Sequence, residues 1–105
     1  MFDIRMLNDD FRRTFLGGRV CMSQGVGCLP AEKIARIQSI VQSFDDFSED
    51  NDPHGEHDFG SFTFDGDKFF FKIDYYDETC THGSEDPSDP EKTTRVLTIL
   101  RADEW

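Results

Sequence analysis

The sequence predicts one α+β domain over residues 1–105, with two helices packed on a mostly antiparallel sheet of about four strands. Three patterns carry this prediction. An apolar stripe with helical spacing occupies residues 30–44, a strong turn signal stands at Asp65-Gly66, and residues 93–100 alternate β-branched and aliphatic side chains. A chain of 105 residues fits one domain, and its 11 phenylalanines supply large rings for a compact core.

The segment Asn8–Gly18 predicts a short first helix. Asn8 is expected to cap the free amides at its start, acids occupy the first turn, and the pair Gly17-Gly18 ends it. Phe11 and Phe15 lie four residues apart and give this helix an apolar side.

A short strand over Arg19–Ser23 follows, closed by a loop at Gly25–Gly27. Pro30 suits the first position of a second helix, because the amide hydrogen that proline lacks would have no partner there. This helix is expected to run to about Phe44, with apolar residues spaced by three or four positions. The stripe consists of Ile34, Ile37, Val41 and Phe44, flanked by Ala31 and Ile40.

Residues 45–58 are expected to form a loop, because they carry seven acids together with a proline and a glycine. Phe44 and Phe47 are expected to anchor the start of this loop in the core. Asn51-Asp52-Pro53 indicates turn chemistry, in which a side-chain oxygen caps the loop backbone.

A β-hairpin comes next, with strands Phe59–Phe64 and Lys68–Tyr76 on either side of Asp65-Gly66. A four-residue loop would place Phe64 opposite Phe69, and also Phe62 opposite Phe71. A two-residue turn keeps the same faces together. The other face of the second strand, expected to be solvated or functional, carries Lys72, Asp74 and Tyr76.

A polar connection, residues 77–92, then carries two prolines and six acids. Thr93–Leu100 is expected to be a central strand, because both of its faces are apolar or β-branched.

The net charge of −11 is concentrated in the middle of the chain. Residues 42–91 hold sixteen acids against two bases, whereas the segments before and after are slightly basic. Such a field repels phosphates and anionic membranes and attracts cations or basic protein surfaces. Direct nucleic-acid binding and membrane association are therefore not expected. The expected location is the cytoplasm, because no apolar run approaches the ~20 residues of a membrane span and no signal peptide is evident.

Metal chemistry has only weak candidates. His54 and His57 have the spacing HxxH, and Cys80 and His82 have the spacing CxH, but neither spacing on a loop is typical of a zinc site. Solvated loop histidines and reduced thiols are the simpler interpretation, so no metal or other cofactor is expected. No nucleophile elbow, P-loop or dinucleotide-binding motif occurs, and no catalytic residue is assigned.

Several blocks of the sequence resemble a bacterial protein family of unknown function, DUF3768. The principal blocks are Asn51–Gly60, Phe71–Asp77 and Thr94–Ile99, with Ser84–Pro87 and Leu7–Asp9 beside them. The resemblance implies a short acidic protein of the kind found on plasmids and other mobile elements, and by association an anti-defence or plasmid-maintenance role. Tyr commonly replaces His54 in this family, which argues against an HxxH metal site. The motif residues most worth testing are Glu56, His57, Asp58, Asp74, Tyr75, Tyr76 and Arg95.

We therefore expect an interaction protein that acts by charge on a basic, nucleic-acid-binding partner, such as a restriction or CRISPR effector. Acids interleaved with aromatic rings can mimic the spaced charges of DNA. The expected partner-binding residues are Asp45, Asp46, Glu49, Asp50, Asp52, Glu56, His57, Asp58, Asp74, Tyr76 and Asp77. Two alternatives stay open: a metal-dependent hydrolase or nuclease centred on His57, and an antitoxin-like or partner-stabilising subunit.

Overall fold

Helices on one side of a four-stranded sheet form the two layers of the structure, a computed structural model that describes residues 3–105. The sheet order is β1-β4-β3-β2, in which β1 runs parallel to β4 and the other neighbours are antiparallel. The α+β class, the mostly antiparallel sheet and the internal position of the last strand are therefore confirmed. The elements are α1 (Ile4–Thr14), β1 (Gly18–Met22), α2 (Gln24–Gly27), α3 (Ala31–Ser43), β2 (Phe59–Phe64), β3 (Asp67–Tyr76), β4 (Thr94–Arg101) and a 3₁₀ turn (Ala102–Glu104).

The core lies between the helices and one face of the sheet. Side chains alternate along a strand, so every second residue of β3 and β4 points toward the helices. The other set of β3 residues, which includes Lys72, Asp74 and Tyr76, lies on the opposite face, as predicted. The buried core consists of Phe11, Val26, Ile37, Val41, Phe69, Phe71, Ile73, Leu97 and Ile99.

The first helix begins earlier than the sequence analysis expects. Its N-cap is Asp3, whose carboxylate accepts a hydrogen bond from the Arg5 amide at 2.8 Å. The prediction that Asn8 caps the helix is wrong, because Asn8 is a fully buried residue of the second turn. The helix ends at Thr14, since Phe15 adopts a left-handed backbone with φ +59° ahead of the glycine pair.

The predicted loop at Gly25–Gly27 is wrong, because these residues belong to α2. The Ser23 hydroxyl caps this single turn by accepting a hydrogen bond from the Val26 amide at 3.3 Å, and Val26 is fully buried. The second predicted helix is confirmed as α3, although Pro30 is its N-cap and not its first helical residue.

The hairpin turn has two residues, Asp65-Gly66, and both have positive φ, +52° and +80°, as a type I′ turn requires. Asp67 therefore already belongs to β3, and Phe62 lies opposite Phe69. The alternative with a four-residue loop, which pairs Phe62 with Phe71, is wrong. The phenylalanines nevertheless keep their predicted faces, because the two registers differ by an even number of residues.

None of the helices within residues 3–105 is long and apolar enough to cross a membrane. The three cysteines are free thiols. Cys21 and Cys28 are exposed and Cys80 is half-buried.

Candidate functional site

Residues 44–58, which we name the acidic loop, connect α3 to β2 and are fixed to the core by two aromatic rings. Phe44 stands edge-on to Phe71, with ring centroids 5.1 Å apart, and Phe47 stands edge-on to Phe44 at 5.0 Å. Gly60 leaves room for this arrangement, because a Cβ atom there would lie 2.6 Å from the Phe44 ring. The anchoring predicted for both phenylalanines is confirmed.

Side-chain oxygens also fix the backbone of the acidic loop from within. Asn51 accepts a hydrogen bond from the Ser48 amide at 2.9 Å and donates one to the Asp46 carbonyl at 3.0 Å. Asp52 accepts bonds from two successive amides at the end of the loop, each at 3.1 Å. The turn chemistry predicted for this segment is confirmed, and it accounts for the burial of Asp52, which is only 8% exposed.

Asn8 of α1 is the centre of a buried polar cluster beneath the acidic loop. Its side-chain nitrogen donates to the Glu56 carbonyl at 3.0 Å and to the Tyr75 hydroxyl at 2.8 Å. Its side-chain oxygen accepts from Nε of Arg95 at 2.8 Å, and the Tyr75 hydroxyl donates to the Glu56 carboxylate at 2.8 Å. One side chain of α1 thus links the loop to β3 and β4.

His57 lies between two carboxylates and an aromatic ring. Its Nδ1 is 2.9 Å from Asp9 Oδ1, and its Nε2 is 3.6 Å from Asp52 Oδ2. The imidazole stacks on Phe47, with ring centroids 3.8 Å apart and planes 4° apart. Asp9 also pairs with Arg12 at 2.8 Å, so its carboxylate joins the loop histidine to a helix cation.

Arg12 completes the attachment from the helix side. It is 1% exposed, and its Nη2 donates to the Phe44 carbonyl at 3.0 Å. Its guanidinium also lies 5.1 Å from the ring of Phe47 and 5.9 Å from that of Phe71, within the range of cation–π attraction. Within residues 3–105, its Nε is the one buried side-chain polar atom without a hydrogen bond. The polar network is the set Asn8, Asp9, Arg12, Asp52, Glu56, His57, Tyr75 and Arg95.

Two pKa shifts follow from this network. Burial opposes the ionisation of Asp9, but hydrogen bonds from Arg12 and His57 outweigh it and lower the pKa of Asp9. Burial and the neighbouring Glu56 carboxylate raise the pKa of Tyr75, although the bond from the Asn8 amide opposes them. Asp9 therefore stays ionised and the tyrosine stays a hydrogen-bond donor.

Asp58, at the end of the acidic loop, has a pKa shifted in the opposite direction from that of Asp9. Burial raises the pKa of Asp58, and the like charges of Glu56 and Asp52 raise it further, although a backbone hydrogen bond and the nearby His54 act in the opposite direction. It makes no ion pair with any residue from 3 to 105. A carboxylate whose pKa is raised in the folded state destabilises the fold when it is ionised. Groups with perturbed pKa values of this kind are frequent at functional sites.

Four carboxylates of the acidic loop face solvent. They make neither ion pairs nor side-chain hydrogen bonds with the part of the chain that the structure describes. Their charge is thus uncompensated locally and carried on a backbone that the polar network holds in place. These residues are Asp45, Asp46, Glu49 and Asp50.

The other expected partner-binding residues lie in three separate parts of the structure: the polar network, the opposite face of the sheet and the 77–92 loop. Asp52, Glu56 and His57 belong to the polar network beneath the exposed acids. Asp74 and Tyr76 lie on the opposite face of the sheet, where Asp74 pairs with Lys72 at 3.0 Å. The side chain of Asp77 accepts two backbone amides of its own loop, each at 3.1 Å.

The weak metal-site candidates are not brought together. His54 and His82 are exposed, and His57 is engaged by the polar network. Within residues 3–105, no three His, Cys, Asp or Glu side chains are placed to share a metal ion.

The role of α1 in this site does not follow from the sequence patterns described above. Asn8, Asp9 and Arg12 have helical spacing, which would place them on one side of α1. In the sequence, such residues resemble the solvated face of an amphipathic helix, because polar residues predict exposure. The available signal was the block Leu7–Asp9, which the family resemblance includes.

Comparison with known proteins gives one result. A family model described as a protein of unknown function (DUF3768) matches residues 22–104. The principal blocks of the family resemblance lie inside the matched residues, whereas Leu7–Asp9 precedes them. No curated protein and no solved structure matches the chain.

Proposed function

The chain belongs to the DUF3768 family of proteins of unknown function, and we propose that it is an interaction protein whose acidic loop binds a basic surface of a nucleic-acid-binding partner. One observation carries the proposal. Four exposed acids, which are unpaired within residues 3–105, lie on a loop that two aromatic anchors and the polar network fix to the core. They are Asp45, Asp46, Glu49 and Asp50.

The fixed backbone matters for affinity as well as for charge. A flexible acidic loop would lose conformational entropy on binding, roughly 1–2 kcal/mol for each residue whose backbone becomes ordered, in addition to the loss for its side chains. A loop that is already ordered avoids the backbone part of that loss. The uncompensated charge also steers a basic partner toward the loop, and the partner's bound anions are released on contact.

The proposed partners are enzymes with a basic nucleic-acid groove, of which restriction and CRISPR effectors are the leading class. The plasmid and mobile-element setting that the family resemblance implies supports this choice by association. The proposed place of action is the cytoplasm, because such effectors meet foreign DNA there. In this proposal, the acidic loop occupies part of the groove as a mimic of DNA phosphates.

Salt-dependent binding tests the proposal. The purified chain is titrated against a panel of restriction and CRISPR effectors, and we expect the Kd of a true partner to rise at least tenfold between about 50 and about 200 mM salt. Replacing the four exposed acids of the loop by their amides should abolish this binding. The control replaces four exposed acids elsewhere and should retain most of it. The control set is Asp10, Glu78, Glu85 and Glu91.

Equal losses from both sets of substitutions would contradict the proposal, because bulk charge would then suffice. Binding that ignores salt, or no binding to any basic effector, would also contradict it. Elemental analysis of untagged protein addresses the hydrolase alternative. A stoichiometric metal that is lost in His57→Ala would favour the hydrolase.

A further inference from the structure

The outer edge of β2 has unused backbone hydrogen-bonding groups. β2 is the edge strand of the sheet and, among the strands that residues 3–105 form, pairs with β3 alone. The two-residue turn makes Phe64 and Asp67 a hydrogen-bonded pair, so by alternation Gly60 and Phe62 also bond to β3. The amides and carbonyls of the intervening residues, Phe59, Ser61 and Thr63, therefore point away from the sheet. No hydrogen bond from the rest of residues 3–105 reaches them.

This edge also lacks the usual protection against strand addition. Exposed edges are normally guarded by charged residues, proline, a bulge or a very short strand. The six residues of β2 include no charged residue and no proline. The opposite edge strand, β1, is shorter and carries Arg19.

An apolar groove lies at the Phe64 end of this edge, between β2 and α3. It has a volume of about 410 Å³ and is lined by Ala35, Arg36, Ser39 and Ile40 of α3 and by Phe64 of β2. Side chains of a strand added to β2 would alternate between the two faces of the sheet. Those on the helix face near Phe64 would enter the groove.

The charges at the ends of β2 indicate which kind of strand could pair with its outer edge. Asp65 and Asp67, beyond its end, are already paired with Lys33 at 2.9 Å and Arg101 at 3.3 Å. Asp58, just before its start, is unpaired within residues 3–105 and lies in the negative field of the acidic loop. Antiparallel pairing with a second copy would bring this carboxylate toward acids of that copy, between molecules of charge −11 each. A basic residue would instead neutralise it.

We propose that β2 binds an extended segment of a partner protein by strand addition, with apolar side chains in the groove beside α3 and a Lys or Arg against Asp58. This proposal rests on the proposed function for the basic character of the partner. It adds the mode of binding: main-chain hydrogen bonds supply part of the affinity, and alternate side chains supply the selectivity. It also explains why a half-buried, unpaired carboxylate stands where β2 begins.

A synthetic peptide tests this mode without the natural partner. The probe is a capped peptide of alternating valine and threonine, six residues long, with one further lysine at each end because the direction of pairing is open. We expect it to shift and protect the backbone amides of Ser61 and Thr63 in NMR spectra. The same peptide with glutamate at both ends should bind at least tenfold more weakly.

Two matched changes separate strand addition from simple charge attraction. N-methylation of one alternate set of peptide amides should abolish binding, whereas N-methylation of the other set should not. On the protein, Ser61→Pro removes an outward amide and leaves the pairing with β3 intact, so it should weaken binding at least tenfold. Ala35→Trp, at an exposed position, should do the same by filling the groove, and it serves if the proline variant fails to fold.

Equal binding by both N-methylated peptides, or by the lysine and glutamate peptides, would overturn strand addition. Amide shifts at β2 that depend on protein concentration without peptide would also overturn it, in favour of a second copy. These results are distinct from failure of the proposed function. That failure would appear as no binding to effectors, or as effector binding that does not change when the exposed acids of the acidic loop are replaced.

Discussion

The acidic loop and the 77–92 loop are both rich in carboxylates, but they use them in opposite ways. The acidic loop, residues 44–58, is held by Asn51, Asp52 and the polar network, which leaves its other acids free. The 77–92 loop is held largely by its own aspartates. The side chains of Asp77, Asp86 and Asp89 accept backbone amides two to four residues further along.

Regional charge alone therefore does not identify a binding surface. Hydrogen bonds from Thr81, Thr79 and His82 outweigh slight burial and lower the pKa of Asp77, which shows a carboxylate used for loop structure. Exposed acids that bond to nothing within residues 3–105 are concentrated instead at positions 45–50. The acidic loop is thus the better candidate, although both loops are similar in composition.

The largest expected effect comes from removing the centre of the polar network. Asn8→Leu removes the partner of the Glu56 carbonyl and of Nε of Arg95 and one of the two partners of the Tyr75 hydroxyl, and should lower the free energy of unfolding by about 3–4 kcal/mol. Urea unfolding measures it. Thr79→Ala removes only the hydrogen bonds of the Thr79 hydroxyl to Asp77 and Thr81 within the 77–92 loop, so it is the control and should have a far smaller effect. Similar losses in both variants would remove the distinction between the two loops.

Acid stability gives the next test. The pKa of Asp9 is lowered in the folded state, so its stabilising contribution is complete above its ordinary pKa of about 3.9 and is lost as the pH falls through the lowered value. Asp9→Asn should therefore destabilise at pH 7 and make the decline in stability below pH 4 shallower. Unfolding free energies measured from pH 7 to pH 2 check this. An unchanged acid slope would show that Asp9 is not coupled to His57 and Arg12.

The smallest expected effect has the opposite sign. The pKa of Asp58 is raised, so the folded state binds its proton more readily than the unfolded state, and ionisation at neutral pH works against folding. Asp58→Asn should raise the thermal midpoint modestly at pH 7, and the gain should vanish in acid. Asp45→Asn, at an exposed and unpaired position, should change little. A lower midpoint for Asp58→Asn at pH 7 would contradict the account.

The sequence was sufficient for elements whose side chains follow a strong period. The stripe of α3, the faces of the hairpin and the internal strand β4 were all predictable, because apolar burial dominates those choices. Ser23 and Asp3 show where it failed. Both residues are N-caps, and other polar residues nearby have side chains that could cap a helix equally well. The sequence pattern does not say which of them will do so.

The site was predictable only as a region. The loop positions of Glu56 and His57 followed from the family blocks, but their attachment to α1 did not. That contact joins residues 48 positions apart, and no local pattern reports it. The burial of Asn8 also runs against the usual exposure of polar residues and is possible only because its hydrogen-bonding groups are satisfied there.

Hydrogen exchange in Tyr75→Phe tests most directly whether the polar network holds the acidic loop. The substitution keeps the ring and every charge but removes the hydroxyl that joins Asn8 to Glu56. We predict that the amides of Glu56 and His57 exchange at least tenfold faster in the variant, while those in the 77–92 loop are unchanged. Equal exchange of Glu56 and His57 in both proteins would contradict the account.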